Sequence, residues 1–549
     1  MPTKSLIYKF KFFPLLISFI FLISIPDILY YCLNRRYGTA FLCFCVDLGL
    51  FCSLAFVFQR WLKIYLYLLL PVVFLAVVNV FCVVLYNVPL NYDIFLLALN
   101  TNLNEASELL RWYVGYFVIC LALYGVVCFY IIKYMPRAIP LKNALVTLVI
   151  GLVMLLSQAM FKSEKGNNMV FLKIATINAY PGTIYYALNM VAHHVSLIQH
   201  HQLMVKKFKF NAFQQHSVGT KQIYVMIIGE SSRYDHWGVN GYLRPTSPQL
   251  SKRSNLLSFN NMVTGGYITE LSVPMLITRA AAENYKQHYA EKSIVSAFKE
   301  AGFKTYWISS QVDFGDITMH AKEADKTIWL SSDYKATKGV YQDMALINEF
   351  KKVLSFNQQK VFIVIHTLGS HYDYDARYPE KYNVFEPSSK GAYISPTDYS
   401  KRDLIINSYD NSIFYTDSVI DSAISLVQHQ KACAWLTYIS DHGENLFDDK
   451  KLLSQHGYPE PSKYVAHIPW FLWTSNAYDS LFPERVSILR QNKASTLGSQ
   501  NVFYTMSELG DITFAGQDLT KSAASIMFKP QPQLILGGNE KVFNYKDVK

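Results

Sequence analysis

Five apolar stretches in the first 160 residues, at about 12–33, 40–58, 64–87, 112–132 and 144–160, constrain this chain more than any other feature. Each approaches the length of about 20 residues that an α-helix needs to cross the hydrocarbon of a bilayer. In lipid every backbone polar group must be satisfied within the segment, so stretches of this length read as a bundle of five transmembrane helices over residues 1–160. Asp27 and Asp47 fall inside the first two. A carboxylate is costly in lipid, so both are expected to face the bundle or an interface. The first stretch is too long for the apolar region of a signal peptide and lacks a small-x-small cleavage site, so it reads as an uncleaved anchor.

Charge orients the bundle. Residues 1–160 hold eleven of the 51 Lys and Arg but five of the 40 acids, a net +6 of the chain's +11. Lys4, Lys9, Lys11, Arg60, Lys63, Lys133, Arg137 and Lys142 belong to one set of loops, and Arg35, Arg36 and Arg111 to the other. The positive-inside rule then places the N-terminus in the cytoplasm, and five spans place everything beyond residue 160 outside it. The remainder is nearly neutral in charge, which argues against nucleic-acid binding. The 15% aromatic content excludes disorder. Seven of the eight cysteines lie in or beside the apolar stretches, leaving Cys433 alone in the exported part. No disulfide within that part and no cysteine-ligated zinc site can form.

Residues 161–219 read as a connector. Pro181 suits a helix start, and Ile184, Leu188, Val191, Val195 and Ile198 follow at helical spacing. An amphipathic helix on the membrane surface is expected, with the basic run Lys206, Lys207 and Lys209 suited to anionic lipid. His193, His194, His200 and His201 are read as its polar face rather than as a metal site.

From about residue 220 to 549 the pattern becomes short apolar runs separated by helical stretches: 223–228, 304–309, 361–367, 434–440 and 469–475. This is the signature of an α/β domain with a mostly parallel sheet covered on both faces. Ligands of such sheets bind beyond the carboxyl ends of the strands. There the chain places Glu230, His371, the run Asp441-His442-Gly443-Glu444, and His456. Taken singly each is ordinary turn chemistry; together they form an oxygen-rich set with imidazole that suits Zn²⁺ or Mn²⁺. Thr269 opens a helical stretch after Gly265-Gly266. Its hydroxyl can cap that helix, or it can serve as a nucleophile in the positive potential of the helix start.

Specific motifs gather these pieces: IGESSRYDHWGVNGYLRPTSP (228–248), TELSVPM (269–275), HTLGSH (366–371), NSYDNSIFYTD (407–417), and SDHGENL (440–446) followed by QHG (455–457). In this order and spacing they resemble the lipopolysaccharide phosphoethanolamine transferases. That family comprises inner-membrane proteins of Gram-negative bacteria with a periplasmic domain of the alkaline-phosphatase/sulfatase superfamily. It includes the mobile colistin-resistance enzymes. The resemblance implies that Glu230, Thr269, Asp441 and His442 bind one Zn²⁺ tightly, with a second ion during turnover as a further option and Mn²⁺ as the lesser alternative. It implies that Thr269 is the nucleophile and carries a phosphoethanolamine intermediate, and that His371 and His456 contact phosphate or a second metal and act as acid and base. Asn102 and Glu105 match the loop that contacts the donor or metal, although an N-cap and first-turn acid of a short helix would look the same. The implied substrates are phosphatidylethanolamine as donor, releasing diacylglycerol, and lipopolysaccharide as acceptor. Members acting on lipid A carry cysteines around the nucleophile, where this chain has Gly265 and Met275. That departure points toward core sugars.

Three other readings compete. Phosphoglycerol transferases share the architecture. A sulfatase-like hydrolase needs Cys/Ser-x-Pro-x-Arg, which is absent although Ser272 lies in the nucleophile segment. A non-catalytic sensor would bind metal or lipid and tolerate Thr269→Ala.

Overall fold

The computed structural model describes residues 12–86, 113–160, 179–205, 207–311, 315–330, 343–390, 398–448 and 452–548, with a few between 89 and 98. The chain divides into two compact units, residues 1–99 with 105–193, and 100–104 with 194–549.

The first unit is helical: α1 (Phe12–Leu33), α2 (Tyr37–Val57), α3 (Leu62–Leu68), α4 (Leu70–Tyr86), α5 (Val114–Tyr134) and α6 (Leu141–Met160). Among the described residues four helices are long and apolar enough to cross a membrane: α1, α2, the run Leu62–Leu85 that joins α3 to α4, and α5. The expected fifth span corresponds to α6, which among the described residues is an apolar helix over Leu141–Leu155. It packs on α2 where Gly49 and Gly151 let the two backbones approach. Asp27 and Asp47 are both buried. Asp27 accepts the Tyr180 backbone N–H at 2.6 Å, and Asp47 accepts the Ser24 hydroxyl at 2.5 Å. The connector forms α7 (Gly182–Met204), which starts directly after Pro181. Its Ile184 is buried, while Leu188 and Val195 are exposed.

The second unit is built on a seven-stranded sheet. Its strands are β1 (Gln222–Gly229), β2 (Leu256–Phe259), β3 (Lys304–Ser309), β4 (Lys326–Trp329), β5 (Lys360–His366), β6 (Cys433–Ser440) and β9 (Trp470–Thr474), in the order β2-β9-β6-β1-β5-β3-β4. The sheet is mixed where a mostly parallel one is expected, with one strand reversed. β1 pairs parallel with β5 and β6, and β3 with β4 and β5, but β9 runs antiparallel to both of its neighbours. A short hairpin, β7 (Asn445–Leu446) with β8 (Ser454–Gln455), precedes β9.

Continuous apolar strands follow from burial on both faces. Tyr224, Met226 and Ile228 of β1 enter one core, and Ile223, Val225 and Ile227 the other. The first core lies under α8 (Thr269–Ile277), through Val273, Leu276 and Ile277. The second lies under α9 (Arg402–His429), through Tyr409, Ile413 and Ile420. Cys433 is buried and free.

Candidate active site

Three adjacent parallel strands deliver the expected residues. Glu230 follows β1, His371 follows β5 and Asp441-His442 follow β6, so the order β6-β1-β5 brings their ends together. α8 lies over them with Thr269 as its first residue. Thr269 is not the helix cap. Ile268 holds that position and makes no side-chain cap, while Thr269 Oγ1 donates to Glu230 Oε2 at 3.0 Å and lies 3.3 Å from His442 Nε2. Pro274 cannot give an N–H to the carbonyl of Glu270, and the hydroxyl of Tyr285 donates to that carbonyl instead at 2.8 Å. Ser272 is buried with its hydroxyl on the Ile268 carbonyl.

Two groupings share Glu230. Glu230, Asp441 and His442, and separately Glu230, His371 and His456, each offer ligand atoms within 4.8 Å of one another. His442 Nε2 lies 3.3 Å from Glu230 Oε1 and 3.4 Å from Asp441 Oδ2. The ring centroids of His442 and His456 are 4.1 Å apart, and those of His371 and His456 are 5.8 Å apart. Nδ1 of each ring is committed: to the Gly443 carbonyl at 2.9 Å in His442, to the Tyr372 carbonyl at 2.6 Å in His371, and to the Glu444 carboxylate at 3.2 Å in His456. Carbonyl oxygens only accept, so His442 and His371 carry hydrogen on Nδ1 and Nε2 is the nitrogen left to bind.

The electrostatics call for a cation. Burial favours the neutral acid at Glu230, but the hydrogen bond and charge of His442, with His371 and His456, hold it below the usual carboxylate range. Burial and the nearby Glu230 raise Asp441. Burial would lower His442, yet Asp441 and Glu230 raise it to about 10. A protonated imidazole thus faces the ionised carboxylate of Glu230, with Asp441 pushed toward its neutral form. Burial, with the charges of His442 and His371, lowers His456 and keeps it neutral. Among the described residues Asp441 Oδ2 is buried without a hydrogen bond. A buried carboxylate oxygen left without a donor, beside a second carboxylate, an imidazole Nε2 and a hydroxyl, fits a divalent metal such as zinc.

Two contributors had no role assigned from the sequence. Glu444, fully buried, holds His456. It lies in the SDHGENL motif, but its partner is brought back only by the hairpin. Gln311 follows β3 at the same sheet edge and donates to Glu230 Oε2 at 3.2 Å and to the Thr367 carbonyl at 2.9 Å. Asn102 and Glu105 lie outside the described residues. Where members acting on lipid A carry cysteines, Met275 packs over Gly265, and a β-carbon there would come 2.8 Å from the Met275 sulfur.

The covered sheet, the helix-borne hydroxyl and the carboxylate–imidazole cluster define an α/β domain of the sulfatase type. The sequence profile of the sulfatase family matches residues 222–512, just over half of the chain, and the chain belongs to that family. It is 28% identical over 326 residues to phosphoethanolamine transferase EptC of Escherichia coli K12, covering 58% of this chain and 56% of that protein. The chain therefore matches little more than half the length of that relative. It is 28% identical over 484 residues to phosphoethanolamine transferase EptA of Helicobacter pylori, covering 84% of each. The periplasmic domain of E. coli EptC in complex with Zn superposes with a TM-score of 0.56 at 25% identity, over 62% of this chain and 96% of that one. The integral-membrane lipooligosaccharide phosphoethanolamine transferase A of Neisseria meningitidis shares the fold at a TM-score of 0.72 and 20% identity, over 93% of this chain and 98% of that one.

Proposed function

We propose that this chain is a phosphoethanolamine transferase. It takes the group from phosphatidylethanolamine, carries it as a phosphothreonine at Thr269, releases diacylglycerol, and passes the group to lipopolysaccharide, on a core sugar or on lipid A. The observation that carries this reading is the hydroxyl of Thr269, at the uncapped start of α8 and 3.0 Å from Glu230 Oε2. The N–H groups of that first turn suit the phosphoryl oxygens of a phosphodiester.

Glu230, Thr269, Asp441 and His442 would hold a zinc ion, which when bound supplies Lewis acidity that favours the ionised hydroxyl and offsets phosphoryl charge. The protein groups do the rest. Thr269 Oγ1 passes its proton to Nε2 of His456 or His371 and attacks phosphorus; the Oγ1–P bond forms and the P–O bond to diacylglycerol breaks. That nitrogen then hands the proton to the leaving diacylglycerol oxygen. In the second half the same nitrogen takes the proton of an acceptor hydroxyl, whose oxygen displaces Oγ1 from phosphorus, and returns that proton to Oγ1.

The names of the relatives support the group transferred, and that of the Kdo(2)-lipid A phosphoethanolamine 7''-transferase of E. coli K12 supports a lipopolysaccharide acceptor. The apolar helices suit an enzyme with two lipid substrates. With α6 as a fifth span the second unit lies in the periplasm of a Gram-negative cell, with α7 on the membrane surface and Asn102 and Glu105 reaching the donor or metal. Met275 over Gly265 leaves the cysteine staple unneeded and favours a core-sugar acceptor.

Purified protein incubated with fluorescent phosphatidylethanolamine is expected to release labelled diacylglycerol and to yield a phosphoethanolamine-bearing peptide containing residue 269. Thr269→Ala is expected to abolish both. Unchanged turnover in that variant would sink the nucleophile, and no turnover in the wild type would favour a metal- or lipid-binding sensor.

A further inference from the structure

The motif 407–417 has so far no part in the chemistry, yet one turn of α9 meets two of the three loops that bear the site. Tyr409 is fully buried. Its hydroxyl accepts the N–H of Arg233 at 2.8 Å and donates to the carbonyl of Ser231 at 2.7 Å. Ser231 has a φ of 56°, a left-handed conformation that a residue with a β-carbon adopts only when its surroundings hold it there. In that conformation its hydroxyl donates to Glu230 Oε1 at 2.8 Å and its N–H to Asp441 Oδ1 at 3.1 Å. One residue thus orients two carboxylates, and the Tyr409 hydroxyl secures that residue from behind.

Three residues on, Ser412 Oγ lies 2.8 Å from Ser370 Oγ. Ser370 immediately precedes His371 and donates its N–H to the Glu230 carbonyl at 3.0 Å. Between the two contacts Asp410 fixes the turn itself: it takes His236 Nδ1 at 2.6 Å, Arg244 Nη1 at 2.8 Å and the Tyr242 hydroxyl at 2.9 Å. All three partners belong to the block 228–248 that begins with the Glu230 loop.

We propose that the turn Tyr409–Ser412 is the positioning element of the site, with Tyr409 setting Glu230 and Asp441 through Ser231, and Ser412 setting His371 through Ser370. This rests on the reading that these groups bind zinc and move protons. Groups behind the ligands fix their orientation, and losing one such contact weakens metal binding or activity by about 10- to 100-fold.

The two contacts can be separated. Tyr409→Phe keeps the ring against His236 and Tyr374, at centroid distances of 5.2 Å each, and removes only the hydroxyl. Zinc affinity of the full chain in detergent, measured by competition with a chromogenic chelator, is expected to fall about 10- to 100-fold in Tyr409→Phe. Ser412→Ala is expected to keep wild-type zinc affinity and to lower kcat for phosphatidylethanolamine without moving KM. Ile413→Val, on the same helix and in the core, is expected to lower the melting temperature and leave zinc affinity alone. Wild-type zinc affinity in Tyr409→Phe overturns the proposal. So does an equal loss in all three variants, which would mean a loosened helix. A wild type that binds zinc but transfers nothing defeats the proposed function, while the zinc comparison still decides the role of Tyr409.

Discussion

Whether a histidine at this site binds or moves a proton depends on which nitrogen it has left. His442 and His371 spend Nδ1 on carbonyls, which fixes the tautomer without adding charge. His456 spends it on Glu444, whose carboxyl burial raises to about 8. Glu444→Gln keeps a hydrogen-bond acceptor but cannot exchange a proton with the ring, so transfer is expected to slow by about 10- to 100-fold while bound zinc is retained. Parallel measurement of kcat and zinc content checks this; loss of zinc together with rate would move Glu444 into the ligand set. Glu230 differs in kind, because it belongs to both metal-sized groupings. Glu230→Ala is expected to lose its zinc, and full occupancy in that variant would refute the ligand set.

At the scale of elements, the loop after β5 is the tightest joint. Gly369 has a φ of 49°, and a β-carbon there would come within 2.8 Å of the Glu230 carbonyl and 2.9 Å of its nitrogen. Its N–H and that of Leu368 are held by the Asp343 carboxylate at 2.8 and 3.0 Å. Gly369→Ala is therefore expected to destabilise the unit by more than about 1 kcal/mol and to weaken zinc binding, since the push falls on the backbone of Glu230. Urea unfolding and zinc titration of the variant measure both, and wild-type values would mean that the loop relaxes. Much of this architecture was legible in the sequence. The runs that became β1, β3, β5, β6 and β9 announce themselves because burial on both faces leaves them continuously apolar. The antiparallel direction of β9 was not legible, since an apolar run reads alike either way. Nor were the edge strands β2 and β4, four residues each and only partly buried. The cluster of Glu230, Thr269, Asp441 and His442 could be read because each follows a strand or opens a helix. The pairing of Glu444 with His456 could not, because the hairpin β7–β8, and no sequence periodicity, returns His456 to it.

Across the whole molecule the two units keep separate cores. Phe19, Ile20, Leu66 and Tyr124 belong to the core of the first unit, whereas the two cores that sandwich the sheet draw on the second. The ligand atoms in the two groupings likewise all belong to the second. A ligand that binds only the folded form stabilises it by RT ln(1 + [L]/Kd), about 2.7 kcal/mol at a hundredfold excess over Kd. Zinc should therefore protect one unit and leave the other unchanged. The chain offers a way to see them apart: of its eight tryptophans Trp61 and Trp112 fall in the first unit, while Trp237, Trp307, Trp329, Trp435, Trp470 and Trp473 fall in the second. Tryptophan fluorescence reports mainly on the second unit, and the helical signal in far-ultraviolet circular dichroism gives weight to the first. A chelator is expected to lower the melting temperature followed by fluorescence and to leave a helical component melting where it did before. Were both transitions to shift together, the units would unfold as one, and a single stability would describe the chain.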